Sequence, residues 1–270
     1  MCPTMLERFD LAQRRRGFAK ATINHRHGRL RLFIDWLDPV DVFDATSDDV
    51  ERFIDSRQVS DRTRYSWLST LHCFYRWAIQ AGIADSDPTV SIDRPRLPRL
   101  LPRPIADDHL AAGLDAGCVT IRTWLTLGAW AGLRCMEVAG LERADLLDSR
   151  IRVAGKGAKE RLVPIHDNVR AALDDHGLPH RGPIFRRADG CRFSPWQVSH
   201  RVRNHFVDLD IEATMHQTRH WFGTQLYIAT RDLRLVQEMM GHSSPSTTAG
   251  YAAFASDTAD AAVAALPVLG

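Results

Sequence analysis

The sequence predicts a mainly α protein with a small antiparallel β-sheet, divided into two domains, and three observations carry that expectation. Apolar residues recur at helical spacing behind capping residues along most of the chain. Two short β-type runs flank a single glycine-rich turn. Between two helical stretches stand Pro88, Pro95, Pro98, Pro102 and Pro104, a density that no helix tolerates. At 270 residues, the chain is long enough to give each domain a core of its own.

Residues 1–90 read as a compact four-helix unit. Over residues 22–37, Ile23, Leu30, Phe33, Ile34 and Leu37 share one stripe. Asp48 followed by Glu51 resembles a capping pair that opens a short helix through about Arg57. Ser60 or Asp61 caps a long helix whose buried face is expected to be Trp67, Leu68, Leu71, Phe74, Tyr75, Ala78 and Ile79, and Gly82 ends it. Residues 91–104 form the boundary. Arg94, Arg96, Arg99 and Arg103 alternate there with the prolines, which suits either a plain semi-rigid linker or a strap across a phosphate backbone.

Residues 105–270 read as the second domain. A helix starts near Asp107, and a longer one over residues 120–131 ends at Gly132, which sets Arg134 at the start of the next short helix. Ile151-Arg152-Val153 and Arg161-Leu162-Val163 read as strands joined by Gly155-Lys156-Gly157-Ala158. Ser194-Pro195 opens a helix to about Val207, Thr214 opens the helix carrying His216 and Arg219, and Gly241 closes the helix before His242.

The bulk numbers exclude several classes. No apolar run approaches the ~18 residues of a membrane span, and the start lacks the order of a secretory signal. Five cysteines without a C-x-x-C pair predict reduced thiols, most of them core fillers, in a cytoplasmic protein. The net charge of +2 announces no partner, but its distribution does. Residues 1–104 hold 17 Arg and Lys against 14 Asp and Glu, clustered at Arg14-Arg15-Arg16, from Lys20 to Arg31 and from Arg94 to Arg103. Three such clusters at one end point to a phosphate-contacting surface.

His216, Arg219 and His220 fall on one helix face. The two histidines have the spacing of a metal pair, but the glutamate of H-E-x-x-H is missing and no third ligand follows, so no metal is expected. Alone, such a His–Arg pair reads as structural. Four stretches in order change that reading: Gly132-Leu133-Arg134-Cys135-Met136-Glu137 with Leu141; residues 155–164; His216-Gln217-Thr218-Arg219-His220; and Gly241-His242-Ser243-Ser244 with Thr247, Thr248 and Tyr251. Together they resemble the catalytic domain of the tyrosine recombinase (phage integrase) family, and the helical first domain with its basic linker resembles that family's core-binding half.

The resemblance implies a role for each residue. Arg134 and Arg219 would hold the non-bridging oxygens of a scissile DNA phosphate, as a guanidinium fork suits that geometry. His216 would bond the phosphate and help Tyr251 lose its proton, and His242 would also contact the phosphate. Tyr251 would attack phosphorus, giving a 3′-phosphotyrosyl enzyme and a free 5′-hydroxyl. Lys156 would protonate the leaving oxygen. Composition supports this last role, since 32 of the 35 basic residues are arginine, which cannot act as an acid, whereas lysine can. Glu137 is read as a partner orienting an arginine, and Tyr65, Tyr75 and Tyr227 as packing residues.

The expected activity is site-specific DNA recombination without metal, nucleotide or other cofactor, integrating or excising a phage or mobile element. The expected partners are a duplex core site with inverted repeats, three further copies of the chain in a homo-tetramer on DNA, and a directionality factor. Alternatives are an Xer-like chromosome-dimer resolvase, a type IB topoisomerase and a non-catalytic DNA-binding protein of the same fold. Three departures stand out. Thr218 replaces a frequent leucine, Ala252-Ala253-Phe254 lacks a histidine often found after the tyrosine, and about 100 leading residues leave room for no arm-binding domain. The alanine-rich segment 255–270 is expected either to pack into a neighbouring protomer or to fray.

Overall fold

The structure, a computed structural model, describes residues 4–98, 101–155, 160–242 and 248–255. It divides into two compact units, Met1–Arg99 and Leu100–Gly270.

The first unit contains α1 (Met5–Arg15), α2 (Lys20–Leu37), α3 (Ser47–Asp55) and α4 (Asp61–Gln80). Its core is aromatic. Phe33 meets Phe53 at 4.9 Å, Phe53 meets Trp67 at 5.1 Å and Phe9 meets Phe74 at 5.5 Å, all edge to face. The buried Tyr75 hydroxyl donates to the Val42 carbonyl at 2.7 Å.

Two expectations for this unit are corrected. The cap of α3 is Thr46 with Asp49, not Asp48 with Glu51: Thr46 Oγ1 accepts from the Asp49 amide at 3.2 Å, and the Asp49 carboxylate accepts from the Thr46 amide at 2.9 Å. The hydroxyl two residues upstream completes the reciprocal box first, so the helix starts earlier and ends at Asp55. Ile79 is 41% exposed. It follows Ala78 by about 100° of helical rotation, which carries it off the stripe formed by Trp67, Leu71, Phe74 and Ala78.

The second unit runs α5 (Asp107–Ala116), α6 (Val119–Ala131), α7 (Cys135–Gly140), a 3₁₀ turn (Arg143–Asp145), β1 (Arg150–Ala154), β2 (Glu160–Pro164), α8 (Asp167–His176), α9 (Pro195–Val207), α10 (Met215–Thr230), α11 (Leu233–Met240) and a 3₁₀ segment (Ala249–Ala255). The two strands pair antiparallel, with Arg150 opposite Pro164 and Val153 opposite Arg161. Ile151, Val153 and Val163 face the core, and the two-residue alternation of β2 turns Arg161 to the same side as Val163.

Helix α6 is the axis of this unit. Trp124, Leu125 and Leu127 are fully buried in the core, and the helix packs against α5, α8 and α10. Its contact with α10 is set by a glycine. A Cβ at Gly128 would collide with Thr218 Oγ1 and reach 2.9 Å from Met215 Cε. Thr218 is fully buried, and its hydroxyl donates to the Met215 carbonyl at 2.9 Å. Among the described cysteines, Cys118 and Cys191 are exposed and Cys73 and Cys135 half-buried. The expectation of core fillers fails for the exposed pair, which lie in a helix cap and a turn. No helix among the described residues is long and apolar enough to cross a membrane.

The close α6–α10 approach yields the first prediction. Gly128→Ala should lower stability by about 1–3 kcal/mol, the usual cost of overpacking a filled core. Urea titration would read this as an earlier midpoint with an unchanged slope; an unchanged midpoint would mean that the helix spacing is set elsewhere.

Candidate active site

The site is assembled from helix ends, strand β2 and a 3₁₀ segment. Helix α6 stops at Gly132, which takes the left-handed conformation at φ 62° and redirects the chain so that Arg134 becomes the N-cap residue of α7. Helix α10 carries His216, Arg219 and His220. Helix α11 stops at Gly241, also left-handed at φ 60°, and releases His242. The 3₁₀ segment then brings in Tyr251.

Glu137, with its side chain 4% exposed, is the hub. Its carboxylate accepts from the Arg134 amide at 2.8 Å, from Arg134 Nη1 at 2.9 Å, and from Arg161 Nη1 and Nη2 at 2.8 and 2.9 Å. Arg219 Nη1 stands 3.7 Å away. The same three arginines cap the last turn of α11. Arg161 Nε donates to the Met239 carbonyl at 2.8 Å, Arg219 Nη2 donates to the Met240 carbonyl, and Arg134 Nη2 donates to the Gly241 carbonyl at 3.3 Å. These carbonyls are the unsatisfied, negative end of a helix, so cations belong there.

Burial alone would raise the Glu137 pKa. The hydrogen bonds and charge of Arg161, the Arg134 amide and the charge of Arg219 outweigh it and hold the carboxyl below its ordinary value. Burial, followed by repulsion from Arg134, pushes Arg219 down to about 9, which still leaves it charged at neutral pH. Three guanidiniums against one carboxylate leave a surplus of two positive charges. Arg219 is wholly buried, whereas the Arg134 side chain is 32% exposed, so the surplus opens to solvent at Arg134. This is a site for an anion with several oxygens.

Tyr251 is fully buried, and its hydroxyl oxygen lies 2.9 Å from His220 Nδ1. Its ring lies nearly parallel to His242, with centroids 6.4 Å apart. Gly223, one turn beyond Arg219, makes the space: a Cβ there would come within 2.7 Å of Tyr251 Cζ. His216 packs edge-on to His220 at 4.4 Å and remains exposed. His242 Nδ1 lies 3.0 Å from Thr248 Oγ1. Burial lifts the Tyr251 pKa to about 12, while Arg219 and Arg134 pull it the other way. Burial, then His216 and Arg219, lowers His220 to about 4. Burial, then Arg219 and Arg134, lowers His242 to about 3. His216 is lowered by its covered side first, then by Arg219 and Arg134. The histidines are therefore neutral at pH 7.

The structure thus gathers Arg134, His216, Arg219, His242 and Tyr251. Lys156 lies outside the described residues, as do Ser243, Ser244, Thr247 and segment 256–270. Sequence reasoning assigned no role to His220, Arg161 or Gly223. The signals were the i, i+4 spacing of His220 from His216 and of Gly223 from Arg219, and the inward face of β2.

Two family models match the chain: the phage integrase family over residues 110–257, and the phage integrase N-terminal SAM-like domain over residues 6–82. Tyrosine recombinase XerC of Rhodospirillum centenum is 36% identical over 209 residues, covering 70% of this chain but only 61% of that protein. Tyrosine recombinase XerD of Pseudomonas aeruginosa is 32% identical over 209 residues, covering 70% of each. Tyrosine recombinase XerD of Staphylococcus epidermidis is 29% identical over 275 residues, covering 92% of this chain and 93% of that protein. Two solved structures share the fold. The lambda integrase tetramer bound to a Holliday junction has a TM-score of 0.73 at 17% identity over 89% of this chain and 77% of that one. The XerH recombinase bound to difH has 0.67 at 19% identity over 98% and 85%.

Glu137→Ala should cost about 3–5 kcal/mol, because it strands buried guanidiniums without their counter-charge. The pH dependence has a definite sign. The folded pKa of Glu137 lies below its ordinary value of 4.5, so its contribution is complete above that pH and is lost as pH falls towards the folded value. Thermal denaturation across pH 3–6 should show a steeper acid loss for the wild type than for Glu137→Gln; parallel curves would refute the hub.

Proposed function

Because the chain belongs to the phage integrase family of tyrosine recombinases, we propose that it is a site-specific DNA recombinase that cleaves and rejoins strands through a 3′-phosphotyrosyl intermediate. The observation that carries this reading is one pocket holding a buried phenol beside guanidiniums with surplus positive charge. The exposed edge of Arg134 receives the non-bridging oxygens of the scissile phosphate, and Arg219 adds its charge from beneath. That charge counts most as negative charge gathers on the equatorial oxygens in the transition state. His216, exposed beside them, and His242 bond the same phosphate. The Tyr251 oxygen attacks phosphorus and the 5′-oxygen leaves with a proton from Lys156. The 5′-hydroxyl of another strand then reverses the step. The ester keeps the energy of the broken phosphodiester, so no nucleotide is consumed.

Tyr251 is fully buried, so DNA must open this face before attack. The exposed cluster Arg14, Arg15, Arg16 and Lys20 in the first unit supports a duplex-contacting surface there. The lambda integrase tetramer bound to a Holliday junction, which shares this fold, supports four copies acting together on DNA. We take their target to be a core site with inverted repeats, in the cytoplasm of a bacterial host. Within this activity we read the chain as the integrase of a phage or mobile element. The relatives named XerC and XerD favour a second reading, resolution of chromosome dimers. Suicide duplexes tiled across the DNA flanking the gene, set beside duplexes tiled across the replication terminus, separate the two by which set is captured.

Tyr251→Phe should abolish covalent capture while leaving DNA affinity unchanged, measured by denaturing gel and by mobility shift; capture that persists would move the nucleophile elsewhere. Arg134→Ala should slow cleavage by a factor on the order of 10² or more, as loss of a transition-state charge contact does. A change confined to affinity would reduce Arg134 to a binding residue.

A further inference from the structure

All three guanidinium nitrogens of Arg161 donate to the protein. Nη1 and Nη2 bond the two Glu137 oxygens at 2.8 and 2.9 Å, and Nε bonds the Met239 carbonyl at 2.8 Å. Its side chain is 10% exposed against 32% for Arg134, so it offers a substrate little surface. A carboxylate has about four acceptor positions. The amide and Nη1 of Arg134 take one on each Glu137 oxygen, and Arg161 takes the other on each. Arg219, 3.7 Å from the same carboxylate, stands outside that set and donates instead to the Gly132 and Met240 carbonyls. We propose that Arg161 is a positioning residue for strand cleavage: by filling Glu137 it keeps that carboxylate from closing on Arg219 and from drawing in more of the Arg134 fork, so that both arginines keep their charge for the scissile phosphate. This rests on the recombinase reading and deepens it.

The charges can be counted. With Arg161 present, three guanidiniums face one carboxylate and the pocket carries a surplus of two. Without it, two face one and the surplus is halved. Two acceptor positions would also fall empty on a carboxylate whose side chain is only 4% exposed. Buried acceptors are costly to leave unpaired, so neighbouring donors are drawn to them. Arg219 Nη1 stands one short step away at 3.7 Å. A contact pair there would cancel charge in the place where the phosphate needs it. Burial works to raise the Glu137 carboxyl, and the hydrogen bonds and charge of Arg161 lead the forces that hold it below its ordinary value. Arg161 is thus the chief partner of this carboxylate. The backbone leaves room for that partnership. A Cβ added at Gly241 would come within 3.1 Å of Arg161 Nη1 and 3.2 Å of its Cδ, and the alternation of β2 turns the side chain inward with Val163. An ammonium is a point charge, whereas Arg161 spans two carboxylate oxygens and a carbonyl.

The test uses the full chain and a nicked suicide duplex from the tiled sets, at saturating DNA and at a temperature where circular dichroism shows each variant folded. Arg161→Gln should form the covalent complex more slowly by a factor on the order of 10², with DNA affinity within about twofold. The deciding comparison adds Glu137→Gln. Two guanidiniums without a carboxylate restore the surplus of two, so the double variant should cleave at least about tenfold faster than Arg161→Gln alone. Two lost supports of a scaffold would couple in the opposite sense. A double variant as slow as the single one, or slower, therefore reduces Arg161 to scaffolding and overturns the proposal. A single variant within about threefold of wild type overturns it as well. Where the glutamine variant does not fold, Arg161→Lys with and without Glu137→Gln should show the same order, and the reverse order has the same meaning. Inorganic phosphate gives a readout without DNA. The rise in melting temperature that it produces, taken relative to Arg134→Ala, should shrink in Arg161→Gln and return in the double variant; an equal rise in wild type, single and double variants overturns the proposal. A wild type that captures no duplex would instead sink the recombinase reading, with the phosphate series still deciding the part played by Arg161.

Discussion

One carboxylate makes this site possible. Three arginines from β2, α10 and the start of α7 converge on Glu137 and on the carbonyls of Met239, Met240 and the cap residue Gly241 at the end of α11. Two like charges 4 Å apart repel by about 4 kcal/mol at an effective dielectric near 20, so such a cluster does not assemble unaided. Glu137 supplies a full counter-charge and the end of α11 supplies a partial one. Their sum still falls short of three, and the deficit is the useful part: it leaves a positive pocket suited to an anion with several oxygens.

The same bonds fix the backbone. Arg161 ties the β-hairpin to both α7 and α11, and Arg219 ties α10 to the Gly132 turn and to α11. The left-handed glycines at 132 and 241 are what let two helices stop with their ends pointed into this cluster. Gly241 also lies against Arg161, where an added Cβ would come within 3.1 Å of Nη1. Electrostatic demand and backbone shape therefore select the same residues. A change at either glycine would be felt by the arginines before it was felt by the rest of the core.

Much of this was legible in the sequence, and the limit is physical. Caps, terminal glycines and alternation place α6, α10, α11 and the hairpin, because those signals are local. Glu137 was readable as a partner of Arg134 from their spacing of three. Its bidentate bond to Arg161, 24 residues on, was not, because it depends on β2 folding back over α7. Likewise, periodicity puts His216 and His220 on one face but cannot say which of them meets a tyrosine 31 residues later. Packing decides that, through the gap left by Gly223. The local misreadings were smaller and of another kind. At α3 two capping signals overlapped, and at Ile79 an apolar residue lay one step off its stripe.

The chemistry divides along a similar line. Arginines carry the permanent charge, and even Arg219, pushed down to about 9, stays protonated at neutral pH. The histidines beside them are held neutral by burial first, and after it by His216 and then Arg219 at His220, and by Arg219 and Arg134 at His242. Permanent charge and neutral imidazole thus belong to different side chains, yet they share one electrostatic field. That field adds to burial in suppressing the basicity of the imidazoles, whereas at Tyr251 it works against burial, which keeps the phenol protonated at neutral pH. One set of charges therefore acts in opposite directions on the two kinds of group, favouring neutral imidazole and favouring phenolate. With its ring sealed in the core and its hydroxyl protonated, the tyrosine in such a pocket is chemically quiet in this structure.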